Sequence, residues 1–251
     1  MSFRTFLSGD IIRMRRLRDS NDGSRNVSFS IACSYAICDD EWNRSRIRRE
    51  YYSCFAHGDN ADYVLSLRNG DHCVIEARTT ITTRTIPDTD IMQPLVEMYV
   101  LSIEQSMPSI RKPTLKHDVN ISYLTASPMY VPRSMFTRDS RGHTQRYAVF
   151  AALFDRWVHD DMTGKSQSIP SIIDCVCYGD DAELVSEQVN TGAVLMMQGH
   201  IQSSKRTVTA YDGSVREYGV PLLSVDGIDV ISNPEARWYA PQWRNATDRK
   251  V

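Results

Sequence analysis

The sequence predicts a mainly β protein with two tandem five-stranded barrels, each with a short helix between its third and fourth strands. Three observations predict this fold class. One stretch of the chain is written twice, apolar residues alternate with a period of two before the first helix, and turn signals separate the apolar runs. The 251 residues suffice for two small domains, and the repeat favours that organisation.

The repeat relates residues 53–77 to residues 174–199. In both copies an apolar run leads into Gly-Asp, then Ala, an acidic residue and Val. Five pairs match 121 positions apart: Gly58 with Gly179, Asp59 with Asp180, Ala61 with Ala182, Asp62 with Glu183, and Val64 with Val185. Gly70 and Gly192 match at 122 positions, so one residue is inserted late in the helix. This distance exceeds a solenoid unit and is typical of a duplicated small domain.

The chemistry of the repeat predicts a strand, a short helix and another strand. Each helix should begin at Gly-Asp, where Asp59 or Asp180 can accept hydrogen bonds from free amides. Gly70 and Gly192 fit a left-handed residue at the helix end. The strand before the first helix has two faces, one with Tyr51, Ser53, Phe55 and His57, the other with Tyr52, Cys54 and Ala56.

The full order of elements follows from the same patterns. In the first unit we expect strands at residues 3–17, 27–37, 47–57, 73–86 and 95–103, with the helix at 60–67. In the second we expect strands at 119–131, 147–158, 169–178, 194–210 and 217–225, which 225–231 completes, and a helix at 181–188. This is the order of an OB-fold barrel. The predicted domains cover residues 1–107 and 118–232, with a linker at 108–117 and an aromatic, basic tail at 233–251.

Charge and cysteine usage narrow the class of protein. The net charge is −2, but arginines cluster around two turns, where a local positive field can attract phosphates. A solvated charged hairpin is the alternative interpretation. Six cysteines lie in apolar runs without a Cys-x-x-Cys pair, which predicts buried free thiols in a reducing compartment. With no leader-like start and no 18-residue apolar span, we expect a soluble, cytoplasmic protein without a membrane partner.

The second copy, which begins YGDDAELVSEQVNTGAVLMMQG, resembles the single-stranded DNA-binding protein family of bacteria and mitochondria. The shared pattern is an aromatic-Gly-x-x-Ala-Glu helix start, a spaced Gly and Val run, a hairpin with Asp-Gly, and a last strand. The resemblance covers residues 3–105 and 118–232 and is more specific in the second unit. Because some members carry two domains and pair, it implies a nucleoid-associated homodimer with four OB domains.

The resemblance also implies which residues bind. The family's base-stacking aromatics fall on Tyr51, His57, Trp157 and Tyr178, and another falls on Arg84 and Arg206, which can stack as planar cations. Two more fall on Ile37 and Ile172, so we expect weaker binding or a different path. With neighbouring residues, the predicted nucleic-acid-binding set is Tyr51, Phe55, His57, Arg84, Arg48, Arg16, Trp157, Tyr178, Arg206 and Arg146. The alternative is that Tyr51 and Tyr178 are ordinary barrel residues, because register does not say which face is outside.

Enzyme readings have little support in the sequence. Gly-Asp-Asp at 179–181 is a pattern found at polymerase metal sites, but the first copy reads Gly-Asp-Asn, and helix capping explains the acid. No phosphate-binding Gly-rich loop, His-Glu-x-x-His motif or nucleophile elbow is present. We therefore expect no enzyme, no catalytic residue, no metal and no cofactor.

The function we expect is coating of unpaired DNA in replication, recombination or repair, with replication or repair proteins as partners. Two alternatives stay open: an assembly module of a replication or conjugation complex, and a single-stranded RNA binder. The tail contains Trp238, Tyr239 and Trp243 among arginines, which predicts either a further stacking surface or a segment docked on a barrel.

Overall fold

The computed structural model describes residues 2–17, 19–20, 23–39, 44–106, 118–138, 142–160 and 165–233. We call residues 2–106 the first half and residues 118–233 the second half. Strands make up most of both halves, so the prediction of a mainly β protein is confirmed. The predicted linker, and the predicted tail beyond its first residue, lie outside the described residues.

The first half contains five described strands and one helix. They are β1 (Phe3–Arg16), β2 (Asn26–Asp39), β3 (Arg44–His57), α1 (Asp59–Ser66), β4 (His72–Thr85) and β5 (Met92–Gln105). The second half contains β6 (Asn120–Pro128), β7 (Arg133–Arg138), β8 (Thr144–Asp160), β9 (Lys165–Tyr178), α2 (Gly179–Glu187), β10 (Val194–Thr209) and β11 (Val215–Ser232).

In each half, five strands pair into one closed sheet. In the first half β1 pairs with β2 and β4, β3 pairs with β2 and β5, and β4 pairs with β5. In the second half β6 pairs with β8 and β10, β9 pairs with β8 and β11, and β10 pairs with β11. The pairs β3–β5 and β9–β11 are parallel, and the others are antiparallel.

The two closed sheets join into one continuous sheet of 11 strands because β1 also pairs with β6. Below this seam, Phe3 and Phe154 meet edge to face with centroids 5.4 Å apart, so the apolar core continues from one half into the other. The buried hydroxyl of Thr5 lies 2.7 Å from that of Thr79 and 2.9 Å from that of Ser122. These contacts satisfy the polar groups at the seam.

A β-bulge recurs at the same place in both halves. The β4–β5 register shifts between Glu76 and Ala77, and the β10–β11 register shifts between Gln198 and Gly199. The two shifts are 122 positions apart, the offset that also relates Gly70 to Gly192. Because a bulge bends its strand locally, its recurrence extends the repeat from the sequence to the backbone.

The helix starts differ from the prediction. Helix α1 begins at Asp59 after Gly58, α2 begins at Gly179 after Tyr178, and neither preceding residue makes a side-chain cap. The prediction that Asp59 and Asp180 cap the helices is wrong, because both residues lie inside the first turn. There the positive end of the helix dipole stabilises their negative charge. Gly58 and Gly179 have φ values of 57° and 59°, a conformation that glycine adopts without steric cost.

Strand β7 is absent from the sequence-based prediction, which placed one strand at residues 119–131. The structure ends β6 at Pro128 and resumes pairing at Arg133. Pro128 and Pro132 lack the backbone N–H that a continuous ladder needs. In the first half, β1 bridges the corresponding stretch with only a register shift between Ile12 and Arg15.

The described cysteines are part of the core. Cys33, Cys54, Cys73, Cys175 and Cys177 are buried and free, which confirms the prediction for these five residues. Burial raises the pKa of Cys33 and of Cys177 to about 12, so both thiols are protonated at neutral pH. In the described part of the chain, no helix is long and apolar enough to cross a membrane.

Candidate nucleic-acid interface

The outer face of β3 presents the first set of rings. Tyr51 is 63% exposed, whereas its neighbour Tyr52 is buried. Phe55 and His57 follow on the same outward face, because a strand directs alternate side chains to opposite sides. Tyr51 is therefore not a core residue, and the rings of this strand are available from outside the barrel.

Tyr99 on β5 adds a ring that the sequence-based set lacked. The parallel register places Tyr99 beside Phe55, and their rings stack with centroids 5.4 Å apart and planes 23° apart. The Tyr99 hydroxyl donates a hydrogen bond to Oε2 of Glu97 over 3.1 Å. Burial, together with the charge and hydrogen bond of Glu97, raises the pKa of Tyr99 to about 12, so its ring stays neutral at neutral pH.

The second half presents another pair of rings. Tyr178 at the end of β9 is 43% exposed and lies opposite Tyr147 of β8. The ring centroids are 6.4 Å apart and the planes are inclined by 34°. The equivalent pair in the first half is His57 with Asn26, whose Nδ1 and Oδ1 atoms are 2.9 Å apart. The same backbone positions therefore hold an aromatic pair in one half and a polar pair in the other.

Two other predicted stacking positions differ between the halves. Ile172 occupies the position that corresponds to Tyr51, and it is exposed on β9. Trp157 lies on β8 with its backbone opposite Ser168, but its side chain is outside the described part of the structure. Of the stacking positions predicted in the second half, only Tyr178 therefore has a described aromatic side chain, and it lies at the end of β9.

Two predicted cations near the rings already pair with carboxylates. The guanidinium of Arg48 lies 2.9 Å from Oε1 of Glu50 and donates to the carbonyl oxygen of Ser203 over 2.9 Å. The guanidinium of Arg206 lies 3.5 Å from Oδ2 of Asp174. A phosphate must compete with these carboxylates, so each guanidinium attracts a phosphate less strongly than an unpaired guanidinium would.

Arg146 is held more firmly than the other predicted cations. Its guanidinium lies 3.1 Å from Glu183 and 3.0 Å from Glu187, both on α2. It also lies 5.5 Å from the ring centroid of Phe136 on β7, within range of a cation–π contact. This arrangement ties the β7–β8 hairpin to α2, so Arg146 has a structural role in addition to any contact with a ligand.

The remaining predicted cations lie apart from the rings. Arg16 pairs with Asp19 over 2.9 Å at the end of β1. Arg84 is exposed near the end of β4, and within the described residues it has no ion-pair partner.

Two grooves bring some of the predicted residues together. The Tyr51 groove has a volume of about 500 Å³, and its lining includes Arg48, Tyr51 and Phe55. The Tyr178 groove has a volume of about 300 Å³, and its lining includes Tyr147, Tyr178 and Arg206. Arg16, His57, Arg84 and Arg146 line neither groove. Tyr99 and Tyr147 were missed because cross-strand pairing, rather than a local motif, places them among the rings.

Helix α2 begins with two neighbouring carboxylates, Asp180 and Asp181, in its first turn. Among the described residues, no group of three or more His, Cys, Asp or Glu side chains is placed to hold a metal ion. Burial and the neighbouring charges of Asp180, Asp226 and Asp229 raise the pKa of Asp181. Both Asp180 and Asp181 lie in the first turn of α2, where the positive end of the helix dipole stabilises a negative charge.

Comparison with solved structures shows where this fold occurs. The chain is similar to the wild-type single-stranded DNA binding protein from Thermus aquaticus, with a TM-score of 0.61, 14% identity, and coverage of 92% of this chain and 94% of that chain. A deletion mutant of that protein has the same TM-score and identity and is covered to 95%. The small single-stranded DNA-binding protein from Streptomyces coelicolor matches 43% of this chain at 16% identity, with a TM-score of 0.36.

The likeness to the Thermus aquaticus protein spans both halves, so the two proteins share an overall fold. No protein-family model and no curated protein matches the sequence.

Proposed function

We propose that this protein binds single-stranded DNA without catalysing a reaction. The observation that carries the proposal is the outward set of rings, Tyr51 and Phe55 with Tyr99 in one half and Tyr147 with Tyr178 in the other. Single strands expose base faces and a phosphate backbone, so a binder needs aromatic platforms beside cations. The shared fold with a protein that is named for single-stranded DNA binding supports the same conclusion.

In this proposal each half is an OB-fold barrel. Three observations support this: each half closes five strands into one sheet, the pairs β3–β5 and β9–β11 are parallel, and the β-bulge recurs in both halves. The first domain covers residues 1–107, the second covers 118–232, and 108–117 links them. The tail at 233–251 remains a proposed stacking or docking segment.

The cellular role we propose is to coat and protect unpaired DNA during replication, recombination or repair in the cytoplasm, at the nucleoid. By mass action, a protein that binds only the single strand keeps it unpaired. Replication and repair proteins are the proposed partners. The modest net charge, −2, makes stacking rather than bulk electrostatics the main source of affinity.

The test is fluorescence anisotropy of a labelled oligo-dT at two salt concentrations, with duplex DNA and RNA of matched length as competitors. Oligo-dT should bind at low salt and lose affinity as salt rises, and duplex should compete poorly. If RNA competes better than DNA, the RNA-binding alternative is favoured. If neither nucleic acid binds at low salt, the proposed function is wrong.

An assembly module is the second candidate, and the carboxylates beside the rings favour it. Glu50, Glu97 and Asp174 lie close to Arg48, Tyr99 and Arg206 and reduce the positive charge that a nucleic acid would meet. If this candidate is right, the rings bind a protein partner and oligo-dT does not compete for them. The anisotropy titration distinguishes the two candidates.

We also propose that the protein is a homodimer. Phe6 of β1 and Tyr123 of β6 meet edge to face with centroids 6.2 Å apart on the outer side of the seam. Ile121 and Met196 extend this exposed apolar patch along β6 and β10. A contiguous apolar patch on a sheet face favours burial against a second copy. Light scattering should give the mass of a dimer, and Tyr123→Glu should give a monomer; a monomeric wild-type protein would contradict this.

A further inference from the structure

A carboxylate lines the Tyr51 groove among its rings. Glu97 of β5 belongs to the wall of this groove and pairs with Ser53 of β3. On the outer face of β3, Ser53 lies between Tyr51 and Phe55. Tyr99, which stacks on Phe55, comes two residues after Glu97 on β5. A planar group that stacks on these rings would therefore present its edge to the Glu97 carboxylate.

The Glu97 carboxylate keeps acceptor capacity in this groove. Its Oε2 atom accepts a hydrogen bond from the Tyr99 hydroxyl, which holds the side chain beside the rings. Within the described residues, no cation lies at ion-pair distance from it. Because the two oxygens of a carboxylate carry four lone-pair sites, Glu97 can still accept from a ligand. Glu50, the other carboxylate in the lining, already contacts Arg48 and accepts from Tyr52.

A carboxylate beside stacking rings distinguishes the four bases by their edges. The Watson–Crick edge of guanine carries two adjacent donors, N1–H and the N2 amino group, which match the two oxygens of a carboxylate. Thymine has a single N–H between two carbonyl oxygens, and a carboxylate repels both of them. Unpaired strands expose these edges to hydrogen bonding by a protein. Such a carboxylate therefore favours guanine and disfavours thymine.

We propose that the Tyr51 groove selects guanine in a single strand. Glu97 accepts hydrogen bonds from N1–H and the N2 amino group of a guanine that stacks on the rings of the groove. The proposal rests on the proposed function above and adds a base preference to it. It also gives this carboxylate a role in nucleic-acid binding, since an acid that only faced phosphates would lower affinity.

The second half lacks the same acceptor. The register of β9 and β11 places Leu222 at the position that Glu97 holds in the first half. Leu222 lines the Tyr178 groove, and its side chain has no acceptor for a base edge. The carboxylate of that groove, Asp174, lies 3.5 Å from the guanidinium of Arg206. The preference for guanine should therefore belong to the first half alone.

The test is a titration of the full chain with labelled oligo-dT hosts of one length, each with a single guest base at its centre. A guest dG should raise affinity over all-dT by about 5- to 150-fold, the discrimination of one bidentate base contact. Guest deoxyinosine lacks only the N2 amino group of dG and should lose most of this gain. A guest dG that binds no better than dT would overturn the proposal.

Variants assign the preference to the Glu97 carboxylate. Glu97→Gln should bring the affinity ratio of dG to dT close to one, because an amide matches O4 and N3–H of thymine as well as O6 and N1–H of guanine. The ratio is the readout, because loss of a negative charge also raises affinity for every base. Glu104→Gln, the same change at an exposed position of β5 outside the groove, should keep the wild-type ratio. An unchanged ratio in Glu97→Gln would refute the role of this carboxylate.

The same titrations separate this inference from the proposed function. If no oligomer binds, the proposed function fails and the base preference fails with it. If all oligomers bind with one affinity, single-strand binding stands and only the selection of guanine is wrong. Deoxyinosine that binds as well as dG would mean that an arginine reads O6 and N7, which inosine keeps, and would overturn the role of Glu97. Free dGMP that displaces the dG oligomer at equal concentration would assign the groove to a mononucleotide and overturn selection within a strand.

Discussion

The ring of Phe55 stacks on the ring of Tyr99, with centroids 5.4 Å apart, across two parallel strands of the same barrel. Tyr99 is 45% exposed, so its ring packs against Phe55 while part of its surface remains accessible to solvent. A ring held in this way loses little conformational freedom when a base stacks on it. Phe55 lines the same groove as Tyr51, which is the more exposed ring at 63%.

Replacing Tyr51 with Ala should weaken oligo-dT binding by about 5- to 150-fold, the loss of one stacked base at about 1–3 kcal/mol. Stability should change little, because the side chain is exposed. The Kd from anisotropy measures the effect. Tyr63→Ala is the matched control, since Tyr63 is an exposed tyrosine on α1 outside the grooves. Equal affinity of the two variants would remove Tyr51 from the site.

Replacing Asp174 with Asn should strengthen binding, because it releases Arg206 from its 3.5 Å ion pair. One further phosphate contact should steepen the dependence of log K on log salt by about 0.7. Titrations at several salt concentrations measure both changes. Asp180→Asn makes the same charge change on α2, away from the grooves. Weaker binding by Asp174→Asn would mean that the carboxylate orients Arg206 for the ligand.

Replacing Gly199 with Ala should destabilise the second half by about 1–3 kcal/mol. The new Cβ would overlap the carbonyl oxygen of Ser224 at the bulge, and backbone cannot yield cheaply. Gly227→Ala is the matched control in the same sheet, because its added Cβ would meet nothing within 4 Å. Denaturant unfolding compares the two variants. An unchanged midpoint for Gly199→Ala would show that the close approach at the bulge is relaxed in solution.

The Tyr99 hydroxyl should ionise at higher pH than an exposed tyrosine. Burial first, and then Glu97, raise its pKa from 10.0 to about 12. Because the folded pKa is raised, the contribution of Tyr99 to stability is present below pH 10 and is lost as pH rises through about 12. Ultraviolet titration of wild type and Tyr99→Phe isolates this group. Glu97→Gln should lower the Tyr99 pKa, and a pKa that stays at 12 would exclude Glu97 as a cause.

Local patterns predicted much of the fold. The alternation around Tyr51 and the Gly-Asp repeat placed β3, β9 and both helices within a few residues, because these signals depend on neighbours in the sequence. The break between Pro128 and Arg133 was missed because prolines near a strand end are compatible with either continuation or interruption of the strand.

The binding face was only partly predictable. Tyr51 and Tyr178 belong to strands whose register could be read, so their shared faces followed from the pattern. Tyr99 lies beside Phe55, and Tyr147 lies beside Tyr178, because their strands pair. The spacing of residues along the sequence does not encode such pairing. The carboxylate partners of Arg48 and Arg206 are also set by packing.

Ultraviolet cross-linking of oligo-dT to the full chain, followed by mass spectrometry of the cross-linked peptides, tests the central claim most directly. The account predicts cross-links at the outward rings, on Tyr51, Phe55, Tyr99 and Tyr178. Cross-links confined to the outer patch around Phe6 and Tyr123, with the rings of β3 and β9 unmodified, would contradict it.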